Sequence, residues 1–247
     1  MRRAGPRNSS AWCGCEGSDR GPFARAALAP FWHAAALAGL IIAVACTGLL
    51  LQQGEPPARG GGDASVSGSR IVSQYLPLLF VNCSLAGYCC VFRGWGALRE
   101  WVGWRRHGVT RELGLAVVLI LLIQLVELGF AQLFGVRHAA TAASLLPLTA
   151  AERMSWVLVA VGVGFCEEVV YRGYLQDQLS AFSGSAVLGM ALQAALFGLA
   201  HADQGLAVAL RVFTYGLLLG GVVFRRGTLL AAIFAHIGLD LAAAFLR

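Results

Sequence analysis

Seven long apolar runs, with few charges inside them, constrain this chain more than anything else in it. They cover residues 31–51, 71–92, 113–134, 156–174, 186–200, 206–224 and 228–246. A helix crossing a bilayer needs about 20 mostly apolar residues, within a range of about 17–25. Six of the seven runs reach that length, and the fifth reaches it when residues 183–201 are taken whole. Strands are excluded, because the runs are too long and lack two-residue alternation. The expected fold is therefore all-α, a polytopic transmembrane helix bundle of about 7 spans.

Composition agrees. Of the 247 residues, 57% are hydrophobic and only 13% charged, whereas soluble domains average about 25% charged residues. The net charge is +6, and all 19 basic residues are Arg. These arginines sit mainly between apolar runs, where they set membrane orientation, so a nucleic-acid partner is not expected. Arg2, Arg3, Arg7, Arg20 and Arg25 make residues 1–30 read as a disordered basic cytoplasmic tail ahead of a retained first helix. Arg93, Arg99, Arg105, Arg106, Arg111, Arg225 and Arg226 mark two further cytoplasmic connections, which leaves the C-terminus outside. The stretch 94–111, with Trp95, Trp101 and Trp104, reads as interfacial. Residues 31–150 then form N-terminal helices and loops, and 151–247 a second group of helices. Thr149 and Glu152 have the spacing of a helix-capping pair, from which the fourth helix can run on past Gln178.

Ionisable side chains inside hydrocarbon cost about 2.5–3.5 kcal/mol each on insertion scales, so each needs a reason. Glu127 and Arg211 fall in no motif and read as polar contacts between helices. The other six form three clusters. Glu167, Glu168 and Arg172 lie on one helix, with Glu168 and Arg172 four apart and able to pair. Phe197 and His201 close an apolar helix, and His236 and Asp240 share one face of another. Singly, each cluster reads as an ion pair, a helix-end anchor or an interhelical hydrogen bond. Together they supply bases for a water and donors for a developing oxyanion, which is the inventory of a hydrolytic site.

Glu167-Glu168-x-x-x-Arg172, Phe197-x-x-x-His201 and His236-x-x-x-Asp240, in that order and each in an apolar run, resemble the motifs of the CAAX protease and bacteriocin-processing (CPBP, or Abi) family. Arg172-Gly173-Tyr174-Leu175 is similar to the family's continuation of the first motif. The likeness covers about the last 95 residues. It implies an intramembrane glutamic-type endopeptidase, CAAX prenyl protease-like, with its active site within the bundle. Its substrate would be a membrane-associated peptide or protein in the lipid bilayer; composition, separately, points to a bacterial plasma membrane. By the same resemblance Glu167 is the general base, holding a water with His201, while His236 and Asp240 surround the oxyanion and Glu168, Arg172 and Phe197 support the site. The family often has Asn where Asp240 stands. An ionised Asp accepts but does not donate hydrogen bonds, so Asp240 is read as orienting His236.

Three other readings stand beside this one. A zinc-dependent variant would use Glu and two His as ligands, although there is no HExxH motif. A non-enzymatic immunity or scaffold protein would keep the polar cluster for packing. A proton-coupled transporter would use the buried carboxylates but calls for internal repeats, of which none is evident. No cofactor is expected. One difficulty is geometric: simple alternation of spans puts Glu167 past mid-membrane toward the cytoplasm and His201 near the outer end.

Overall fold

The computed structural model describes residues 27–51, 68, 70–92, 95–103, 108–135 and 146–245. The basic tail, most of the loop before Arg70, Trp104 and several of the orienting arginines lie outside the described residues. Among the described residues eight helices follow one another: α1 Phe31–Leu51, α2 Ile71–Cys89, α3 Trp95–Val102, α4 Val109–Phe134, α5 Ala150–Ser183, α6 Ala186–Leu199, α7 Leu206–Arg226 and α8 Leu230–Phe245. Among the described residues there is no strand, as expected.

The apolar runs locate the helices but misplace several ends. Helices α2, α4, α5 and α7 are long and apolar enough to cross a membrane, while Phe31–Thr47, α6 and α8 are shorter apolar helices. Helix α5 begins where Thr149 accepts a hydrogen bond from the Glu152 amide at 3.2 Å. The Glu152 carboxylate also holds the chain just ahead of the helix. It accepts from the Leu148 amide at 2.7 Å and from Arg70 at 2.8 Å, tying α5 to the start of α2. At its other end α5 passes Tyr174 and continues through Gln176, Asp177 and Gln178 to Gly184, whose φ of +67° closes the helix.

Two pairings fix the bundle. Helices α2 and α5 run parallel with an almost constant offset, through Arg70 and Glu152, the Tyr75 and Trp156 rings 5.5 Å apart, and the Cys83 and Cys166 sulfurs 3.8 Å apart. Helices α4 and α7 run antiparallel and are pinned by two ion pairs, Glu112 to Arg226 at 2.5 Å and Glu127 to Arg211 at 2.9 Å. Glu127 also accepts the Tyr215 hydroxyl proton. The two charges outside the motifs are thus polar contacts between helices. Small residues let the C-terminal helices approach closely, as in other membrane bundles. A Cβ on Gly216 would lie 2.8 Å from Ala194 Cβ, and one on Gly198 would lie 2.6 Å from the Ala209 carbonyl.

Trp101 departs from its interfacial reading. It is buried, its indole donates to Asp177 at 3.3 Å, and its face covers Gly173.

Candidate active site

The first motif lies near the middle of the 34 residues of α5, not toward one end. That extra length brings mid-α5 to the C-terminal end of α6, where Tyr171 and Arg172 meet Phe197. Immediately after Glu168 the helix widens into a π segment, Val169–Leu175, buried at every position. Such widenings occur frequently at functional sites; a second one, Ile71–Tyr75, opens α2 outside the motifs. Neither hydropathy nor spacing announces the one in α5.

Phe197 is the hub. Its ring lies 4.8 Å from that of Tyr171, 5.1 Å from that of His201 and 6.1 Å from that of His236. The Arg172 guanidinium sits over the same ring at 4.1 Å, a cation–π contact. Its Nη1 also donates to Glu168 Oε1 at 2.8 Å, and both side chains of this pair are 0% exposed.

His236, on α8, joins the carboxylates. Its Nδ1 lies 2.8 Å from Glu168 Oε1. On the other side of the ring, Nε2 is 3.6 Å from Glu167 Oε2 and 3.9 Å from Asp240 Oδ2. The orienting contact therefore falls to Glu168 rather than to Asp240, which faces the opposite nitrogen at a longer distance. Gly164, one turn before Glu168, permits this approach. A Cβ there would come 3.0 Å from Ile237 Cγ1 and 3.7 Å from His236 Cδ2.

Exposure grades outward through the cluster. Glu168 is sealed, Glu167 and His236 are 16% and 14% open, and Asp240 is 33% open. Glu167, His236 and Asp240 therefore share the open side, while Glu168 and Arg172 form its floor. His201 occupies the turn after α6, where its Nδ1 donates to the Phe197 carbonyl at 2.9 Å and leaves Nε2 without a protein partner among the described residues. Sequence reasoning missed Gly164 and Tyr171. Their signal was weak, a glycine in an apolar run and an aromatic beside Arg172.

Zinc was tested against this donor set. Among the described residues, no three His, Cys, Asp or Glu side chains stand together in a way that could hold a metal ion. The residues do not fit such a site, and the chemistry below passes through none.

Residues 148–242 match the family model of type II CAAX prenyl endopeptidases, Rce1-like. The matched segment takes in all three motifs and begins at the cap of α5. The match is in line with the resemblance read from the motifs. Neither the curated proteins nor the solved structures contain a match to the chain.

Proposed function

We propose that the protein is an intramembrane endopeptidase of CAAX-processing type, cutting a membrane-associated peptide or protein with a water activated by Glu167 and His201. The observation that carries this reading is the clasp on His236, with Glu168 on one ring nitrogen and Glu167 and Asp240 around the other. A carboxylate that already has its own partner, Glu168, frees the neighbouring Glu167 for proton transfer. Glu167 takes a proton from water as its oxygen adds to the scissile carbonyl carbon. The tetrahedral oxyanion is met by His236 Nε2–H. Collapse breaks the C–N bond, and the proton held on Glu167 passes to the leaving amine. Arg172 holds Glu168 in place, so that His236 stays aligned. Asp240, at the most open edge, faces the same nitrogen as the substrate.

The test uses purified full-length protein and a farnesylated peptide ending in a CAAX tetrapeptide. Wild type is expected to release the C-terminal tripeptide, and Glu167→Ala and His201→Ala each to lose on the order of 100-fold or more in kcat. Unchanged turnover in both variants would overturn the reading.

A further inference from the structure

The π segment lies next to the sealed Glu168–Arg172 pair and carries Arg172, and wide helical turns of this kind are rare, occurring mostly as single-turn insertions in α-helices. Something outside the turn has to hold it. Four polar contacts converge on the π segment and the helix that continues it. Trp101 covers Gly173 and donates to Asp177. Gln176 donates to the Gly220 carbonyl at 3.2 Å. Gln178 clasps the backbone of Ala29, accepting at 3.1 Å and donating at 2.8 Å. The fourth contact alone reaches a side chain of the π segment itself. The Tyr174 hydroxyl lies 2.5 Å from Nδ1 of His33, which comes from α1, far outside the family-matched segment.

His33 is 1% exposed, and Tyr174 likewise. The imidazole stacks on Tyr88 at 3.9 Å with the planes 3° apart, and meets the Phe92 ring edge-on at 4.8 Å. The Tyr88 hydroxyl in turn donates to the His33 carbonyl at 3.1 Å. With the phenol of Tyr174 donating to Nδ1, the ring proton sits on Nε2, and that atom is buried without a partner. Packing alone does not account for a histidine here. A phenylalanine would keep the stack on Tyr88 and the edge contact with Phe92, and would leave no orphaned polar atom.

We propose that His33 is a positioning residue for the candidate catalytic carboxylates, holding Tyr174 and through it the π segment that sets Arg172 on Glu168. The proposal rests on the endopeptidase reading for its activity readout, but not for its structural one. Misplacing catalytic groups by about 1 Å can cost on the order of 100-fold in rate.

The experiment compares wild type, His33→Phe, His33→Asn and Tyr174→Phe as full-length protein in detergent, with the farnesylated CAAX peptide as probe. His33→Phe and Tyr174→Phe are expected to lower kcat by about 10- to 100-fold with KM little changed. The double variant should be no worse than either single one, and His33→Asn, whose amide reaches the Nδ1 position, should recover much of the loss. Additive losses, or an Asn variant as poor as Phe, overturn the proposal. Amide hydrogen exchange across 169–175 serves as the second readout. It should speed up in His33→Phe, and unchanged exchange there overturns the proposal even if the probe is never cleaved. A wild-type protein inert toward the probe but with faster exchange in the variant defeats the endopeptidase reading on that probe and leaves the positioning role standing.

Discussion

Two adjacent carboxylates on one helix have opposite surroundings, and the difference follows from what reaches each. Glu168 meets Arg172 and His236 in a fully buried pocket, while Glu167 faces the opening with Nε2 of His236 3.6 Å away. Removing one partner of a buried ion pair leaves the other charge uncompensated, which costs about 3–5 kcal/mol. Arg172→Ala is therefore expected to destabilise the protein by that order, read as a fall in the thermal unfolding midpoint in detergent. Glu167→Gln should leave the midpoint near wild type while abolishing turnover. An Arg172→Ala protein as stable as wild type would contradict the buried-pair account. All six motif side chains were legible from their type and spacing. The close contact of Glu168, rather than Asp240, with His236 was not, because it depends on which carboxylate the incoming α8 meets. Gly164 decides that, and a glycine in an apolar run carries no mark of the helix that will cross it.

At the level of elements, the long α5 shows why hydropathy misjudged helix ends. The apolar run stops at Tyr174, since Gln176, Asp177 and Gln178 are polar, yet all three are buried and engaged by Gly220, Trp101 and Ala29. Polar residues satisfied by tertiary contacts end an apolar run without ending the helix, in keeping with a helix that starts at Thr149 and runs on past Gln178. The glycine approaches are testable. Gly164→Val places a branched side chain against Ile237 and should cost about 1–3 kcal/mol, together with most of the activity. Gly39→Val, where a Cβ meets nothing within 4 Å, should be close to neutral in both. Equal effects at the two positions would rule out the close α5–α8 crossing. The parallel α2–α5 register makes its own prediction. Cys83 and Cys166 should be joined efficiently by a mild oxidant, giving a loss of two hydrogens by mass spectrometry that Cys83→Ser abolishes.

Across the whole molecule, the low charge fraction takes on a definite layout. Two ion pairs lock α4 against α7, one joins α2 to α5, and the charges of the three motifs gather around Phe197 and His236. The all-helical, membrane-spanning architecture was readable from seven apolar runs, because burial in lipid leaves a long uninterrupted signal. Contacts between distant helices leave a weaker signal: pairing of Glu127 with Arg211 was one option among several in the sequence, and three dimensions select it. Its coupling should appear in a double-mutant cycle. Glu127→Gln and Arg211→Met are each expected to destabilise, and together to do little more than one alone, with a coupling of about 0.5–3 kcal/mol.

The central claim is that Glu167 delivers water to a peptide carbonyl, and isotope incorporation tests it most directly. Cleavage of the farnesylated CAAX peptide in ¹⁸O-labelled water, followed by mass spectrometry of both products, should place one labelled oxygen in the new C-terminal carboxylate. The folded Glu167→Gln protein should release no labelled product above background. Wild-type protein that cleaves nothing, or a Glu167→Gln protein that incorporates label at the wild-type rate, would contradict the account.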